Sequence, residues 1–225
     1  MMPKLILMFT LNDVTVPDAI DYFEKVKDLP VDYFGFKEIG LEPEKMQVLN
    51  NKIHAAGFES FLEIVEYNEE AILPSAKTAV DMGFDYLMGT VYYPSIWKII
   101  KGKIKYFPFC GKIYNRPSVL DGTMEEIAAD AKRIEEAGAD GFDLLAYRYI
   151  EPGRVNELIA KVKKAINVPL VSAGSINSFE RLDETIKQDV WGFTVGGAFF
   201  EKKFAPDGSY RDNVTAVLRK LGKNL

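Results

Sequence analysis

Two charges sit inside otherwise apolar runs of this sequence: Lys37 in Phe34-Gly-Phe-Lys-Glu-Ile and Glu63 in Phe61-Leu-Glu-Ile-Val. A charge buried without a partner is strongly destabilising, so each must be paired or shift its pKa. A desolvated lysine or a raised carboxylate exchanges protons near neutral pH. Lys37 and Glu63 are therefore candidate catalytic acid/base residues. The same two residues also read as a structural ion pair that serves packing and register alone. A third acid, Asp143, lies in Gly141-Phe-Asp-Leu-Leu-Ala-Tyr-Arg. Strand alternation puts it on the same side as Leu145, which leaves open whether it faces the interior or the flanking helices. Facing inward, it is an acid/base partner for Lys37 and Glu63. Facing outward, it is a capping or salt-bridging carboxylate.

A second chemistry is written near the C-terminus, in Pro169-Leu-Val-Ser-Ala-Gly174-Ser-Ile and Gly192-Phe-Thr-Val-Gly196-Gly197-Ala-Phe-Phe. Each is a short apolar run ending in glycine where a helix should begin. Backbone N–H groups there can approach an anion closely. Other chemistries are excluded by scarcity. With His54 as the sole histidine, in Asn51-Lys-Ile-His-Ala, a multi-histidine metal site is impossible. No dedicated metal is expected, while Mg²⁺ arriving with a substrate is allowed. Cys110 lacks a histidine partner for a Cys–His nucleophile and reads as a small buried residue.

The elements that must position these groups alternate regularly. Strands are expected at residues 5–10, 33–39, 59–65, 86–90, 104–109, 141–146, 170–173 and 192–196. Helices are expected at 17–29, 43–56, 69–82, 94–100, 124–137, 152–166, 179–187 and 210–221. Thr123 and Glu126 form a capping-box pattern before the fifth helix, and Gly138 ends it. Strands alternating with helices imply right-handed crossovers and a parallel sheet. Eight such units in 225 residues predict an α/β fold, a (β/α)8 TIM barrel occupying residues 1–225 as one domain. An open doubly wound sheet would need a glycine-rich turn after the first strand, and Thr10-Leu-Asn-Asp is not one. Barrel catalytic groups lie at C-terminal strand ends, which adds Asn12, Asp13, Glu38, Glu66, Lys112, Tyr147, Arg148 and Ser172 to the side chains worth following. Asn12-Asp13 reads as a turn. Residues 110–122 read as a long polar loop of active-site-lid type, whose Lys112 and Arg116 either meet an anionic substrate or stay solvated.

The bulk composition narrows the partners. A net charge of −5 leaves no electrostatic footprint for nucleic acid. No apolar run reaches membrane-spanning length, and the run from Leu5 to Phe9 is too short for a signal-peptide core. One cysteine excludes an internal disulfide, and a reducing cytoplasm is the expected setting. A homodimer is compatible with the chain.

Val171-Ser-Ala-Gly-Ser-Ile and Phe193-Thr-Val-Gly-Gly-Ala resemble the paired phosphate-gripping segments of the ribulose-phosphate-binding barrel superfamily, within it a subgroup of small bacterial barrels. The resemblance implies that Gly174, Ser175, Gly196 and Gly197 line a substrate phosphate. The superfamily's reaction signatures match less well. The decarboxylase and synthase branch carries Asp-x-Lys-x-x-Asp on its third strand, where this chain has Phe61-Leu-Glu-Ile-Val-Glu. The histidine-pathway isomerases carry acids at the first and fifth strands; here Asp13 lies further along its loop, and the fifth strand ends in Cys110. The expected function is an isomerase or epimerase acting on a small phosphorylated sugar or polyol. Glu63 and Lys37 would move the proton, with Asp143 as orienter or second acid/base. The alternatives are an aldolase-type lyase with Lys37 as Schiff base, or a non-catalytic barrel that senses a phosphorylated metabolite.

Overall fold

The computed structural model describes residues 2–225 and turns every expected apolar run into a strand. The first half runs β1 (Lys4–Met8), β2 (Thr10–Leu11), β3 (Val14–Thr15), α1 (Ala19–Val26), β4 (Tyr33–Lys37), α2 (Pro43–Ala55), β5 (Ser60–Glu63) and α3 (Glu69–Asp81). It continues through β6 (Tyr86–Met88), α4 (Pro94–Ile100), β7 (Lys105–Phe107), β8 (Lys112–Tyr114), β9 (Val119–Asp121) and α5 (Met124–Glu136). The chain ends with β10 (Phe142–Leu144), α6 (Val155–Ala165), β11 (Leu170–Ser172), α7 (Phe179–Lys187), β12 (Gly192–Val195), α8 (Gly197–Phe200) and α9 (Tyr210–Lys220).

Eight of the strands form one parallel sheet in the order β10-β11-β12-β1-β4-β5-β6-β7. The two end strands meet through a thinner seam. Asp140 N donates to Tyr106 O at 2.9 Å, Asp143 N donates to Pro108 O at 3.0 Å, and the Asp140 carboxylate accepts from Tyr106 N at 2.9 Å. The single-domain TIM barrel expected from the sequence is the fold observed.

Period-2 alternation divides each strand between two environments. Leu5, Leu7, Phe34, Phe36, Leu62 and Leu87 pack outward against the helices. Ile6, Met8, Tyr33, Phe61, Tyr86, Met88, Phe107 and Val171 fill a separate cluster inside the barrel, joined by Trp191. There the Phe61 and Tyr86 rings stack at 4.1 Å, and Phe107 meets Tyr86 edge-on at 5.5 Å. Rings of this size need space from small neighbours. A Cβ at Gly141 would lie 2.5 Å from the Phe107 ring.

The structure adds two hairpins that the sequence reading lacked. Asn12 and Asp13, read as a turn, form the tip of the β2–β3 hairpin, with φ of 52° and 61°. Two successive left-handed residues are the signature of a tight hairpin turn, and Asn and Asp tolerate it. Residues 110–122 are not an open lid: β8 and β9 pair antiparallel there, with Ile113 and Leu120 buried beneath. Lys112 is exposed and 3.8 Å from Asp121, while Arg116 bonds to Glu66 and to the Val65 carbonyl. The capping box at Thr123 and Glu126 is formed as expected. Among the described residues no helix is long and apolar enough to cross a membrane.

The interior packing yields a stability prediction. Gly141→Ala forces a methyl group into the buried Phe107 ring and is expected to cost about 1–3 kcal/mol. Gly153→Ala is the control, because a Cβ there meets nothing within 4 Å. Urea denaturation of the two variants measures both; equal midpoints would show that the barrel interior yields freely.

Candidate active site

Lys37 is the last residue of β4, on the inward face shared with Tyr33 and Gly35. Strand register sets it directly beside Glu63, the last residue of β5. Cross-strand neighbours on one face lie close enough to interact, and Lys37 Nζ is 3.3 Å from Glu63 Oε1. A second carboxylate comes from the β2–β3 hairpin: Asp13 Oδ1 accepts from Lys37 Nζ at 3.0 Å. The hairpin is pinned in place by Thr15. Its hydroxyl donates to Lys37 O and accepts from Lys37 N, both at 2.8 Å.

Asp13 in turn receives Arg148, which follows β10 through a short 3-10 turn at Ala146–Arg148. The guanidinium donates through Nη1 to Asp13 Oδ2 and through Nη2 to Oδ1, each at 3.0 Å. Asp143, in β10, faces the interior, which settles the alternative left open by alternation. Its side chain is 1% exposed, and neither carboxyl oxygen has a hydrogen-bond partner among the described residues.

These groups open on one cavity of about 270 Å³ at the C-terminal mouth of the barrel. It lies just below the roughly 300–1,000 Å³ usual for small-molecule sites. Lys37, Glu63 and Asp143 line it, and so do Gly174, Ser175, Gly196 and Gly197. All seven residues singled out from the sequence therefore share one space. Gly174 and Ser175 have φ of 81° and 58°, which turns the chain sharply after β11. Gly196 is packed so closely that a Cβ would stand 2.4 Å from Thr10 Oγ1 and 2.9 Å from Thr10 O. Among the described residues, nothing accepts a hydrogen bond from the amides of Gly174, Ser175 or Gly196.

Asp13 and Arg148 were visible only as strand-end candidates. The position of Asp13 along its loop, read as distance from the site, proves to be the length of a hairpin folding back onto it. Of the lid, only Pro117 reaches the cavity, so Lys112 and Arg116 do not meet an anion there. Cys110 is buried, and burial pushes its thiol well up, away from nucleophilic character. His54 lies on α2 and contacts Asp85 at 2.8 Å. Among the described residues no group of three or more His, Cys, Asp or Glu is placed to hold a metal ion.

Electrostatics assigns the protonation states. Burial alone would lower the Lys37 pKa, but Glu63 and Asp13 outweigh it and hold the ammonium charged. Burial would also raise Asp13; the Arg148 hydrogen bonds and the Lys37 charge instead bring it down to about 2. Asp143 has no such help. Burial raises its pKa well above the ordinary value, with the Glu63 charge adding to the shift against Lys37 and Arg148. Glu38 turns away to accept from Val65 N at 3.0 Å, and burial raises its pKa to about 7. The cavity thus holds a charged lysine, its counter-ions, and a carboxyl that keeps its proton to higher pH than an ordinary carboxyl does.

A pH dependence follows. The folded chain keeps a proton on Asp143 that the unfolded chain releases above the ordinary pKa of 3.8. The stability linked to this group is complete below that value and is lost as pH rises through the folded pKa. Asp143→Asn, neutral at every pH, is expected to melt at higher temperature than the wild type at pH 7, with the gap closing towards pH 4. Thermal melts across that range check this. A gap that does not change with pH would mean that Asp143 ionises as an ordinary carboxylate.

No family model matches the chain, and no curated protein matches it. Solved structures do. Orotidine 5'-phosphate decarboxylase from Pyrococcus horikoshii superposes with a TM-score of 0.68 at 14% identity, over 98% of this chain and 100% of its own. Tryptophan synthase from M. tuberculosis gives 0.65 at 14% identity, over 98% and 91%. N-acetylmannosamine-6-phosphate 2-epimerase from Clostridium perfringens gives 0.63 at 13% identity, over 97% and 93%. This chain shares the (β/α)8 fold of these three structures.

Proposed function

We propose that this protein is a phosphate-binding barrel enzyme, an isomerase or epimerase that moves a proton next to the carbonyl of a small phosphorylated sugar. One observation carries the reading. A buried, unpartnered Asp143 carboxyl with a raised pKa and a charge-held Lys37–Glu63 pair face the same cavity, whose other wall is made of glycine segments with free amides. Neighbours that act on orotidine 5'-phosphate and N-acetylmannosamine-6-phosphate support the phosphate end of this reading.

In the mechanism, the substrate phosphate rests on the amides around Gly174, Ser175, Gly196 and Gly197. This places the carbonyl end over Lys37. Glu63 removes the proton from the adjacent carbon, and the electron pair moves onto the carbonyl oxygen. The Lys37 ammonium stabilises the resulting oxyanion, a role suited to a fixed charge in a dry site. Asp143, still protonated, returns a proton to the carbon or oxygen of the enediol(ate). Proton transfer by positioned groups of this kind contributes roughly 10²–10⁴-fold each.

The Schiff-base alternative asks Lys37 to attack as a free amine, whereas Glu63 and Asp13 hold it protonated. A purely sensing barrel has no use for a buried carboxyl without a partner, since that group only destabilises it.

The reading is tested with a panel of aldose, ketose and N-acylhexosamine phosphates in D₂O, followed by ¹H NMR. Deuterium is expected to enter at the carbon beside the carbonyl of one panel member, and Glu63→Gln and Lys37→Met should each slow entry by about 100-fold or more. Borohydride should leave no adduct on Lys37. A panel without exchange, or a Glu63→Gln variant at wild-type rate, would overturn the proposal.

A further inference from the structure

Arg148 stands where the two halves of the cavity meet. Its guanidinium is fastened to Asp13, beside Lys37, while its stem lies on the glycine turn after β11. A Cβ at Gly174 would be 2.9 Å from Arg148 Cγ and 3.3 Å from Nε. Among the described residues, Lys37 is the only other cationic side chain that lines the cavity.

We propose that Arg148 is a binding residue that completes, with the amides of Gly174, Ser175 and Gly196, a cradle for a phosphate monoester dianion. The inference rests on the reading that this end of the cavity takes the substrate's phosphate. Four features support it.

The guanidinium has donors to spare. Asp13 takes one hydrogen from each terminal nitrogen. The Nε–H and the second hydrogen on each terminal nitrogen find no acceptor among the described residues. Arg148 therefore grips an anion without releasing Asp13. Its orientation is also set beforehand, because the bidentate contact fixes the plane of the fork and less freedom is lost when a ligand arrives.

Its charge is permanent. Burial would lower the Arg148 pKa, and Asp13 raises it beyond the ordinary value. That charge is only partly neutralised at home, since Asp13 Oδ1 is shared between Lys37 and Arg148. The Glu201 carboxylate on the same wall is itself paired with Lys203, at 3.5 Å.

The ligand class follows from the donor set. Backbone amides on two turns and a guanidinium approach from different directions, which suits the several oxygens of a phosphate better than the planar pair of a carboxylate. The dianion gains most from the added charge.

The test uses inorganic phosphate as the probe, titrated calorimetrically into wild type, Arg148→Lys, Arg148→Met and Gly196→Ala. Wild type is expected to bind. Arg148→Met should bind about tenfold more weakly or worse, the loss of charge-assisted hydrogen bonds. Arg148→Lys should fall between, because it keeps the charge and loses the fork. Thermal melts confirm that each variant is folded, and if Arg148→Met is not, Arg148→Lys decides. Wild-type affinity in the folded Arg148 variants overturns the inference. The failure of the underlying reading looks different. If wild type itself does not bind phosphate, both fall; if wild type binds, Gly196→Ala weakens binding, and the Arg148 variants do not, only the role of Arg148 falls.

Discussion

A lysine inside a barrel must be neutralised where it stands, and the mouth of this structure is organised around that requirement. Lys37 is 4% exposed, so water cannot balance its charge. Glu63 balances part of it from the next strand, at no cost beyond register. The remainder comes from Asp13, which must be carried over the mouth by the β2–β3 hairpin and locked there by Thr15. Asp13 is itself kept ionised by Arg148, so the sixth barrel strand is tied to the first and second through one carboxylate. Breaking a buried pair of this kind on one side leaves an uncompensated charge, typically worth 3–5 kcal/mol. The ion network is therefore part of the architecture as well as of the chemistry.

The barrel separates an aromatic floor from a polar mouth along its axis. Below Lys37 the interior is aromatic, with Tyr33, Phe61, Tyr86, Phe107 and Trp191 packed ring against ring. Above it the lining is polar, and Asp143 remains without a partner. Proteins retain such an unsatisfied group where its unusual protonation is useful, and pay for it in packing elsewhere. The dense floor is that packing.

Much of this was legible in the sequence, and the exceptions have physical reasons. Buried parallel strands read as continuous apolar runs, so the eight barrel strands could be placed from pattern and glycine punctuation. Lys37 and Glu63 were legible as charges that did not belong there. The facing of Asp143 was not, because β10 has only three residues and apolar neighbours on both sides. The hairpin around Asn12 and Asp13 has two residue pairs, too few for alternation to register, though the Asn-Asp dipeptide marked its turn. Arg148 was legible only as a strand-end candidate, because a 3-10 turn follows β10 and spacing along a strand says nothing about where such a turn points a side chain. The supposed lid failed for a different reason: its polar residues sit on one face of β8 and β9, and the buried Ile113 and Leu120 on the other face carry the structural information.

The seam between β7 and β10 makes the hydrogen bonding around the barrel uneven. Elsewhere around the ring neighbouring strands are laddered in register, whereas these two are joined by a few bonds, one of them to an aspartate side chain. One of those bonds is made by the backbone of Asp143 itself. The Asp143 carboxyl thus hangs from a strand laddered in register on one side only, across the cavity from a lysine whose strand is laddered on both sides.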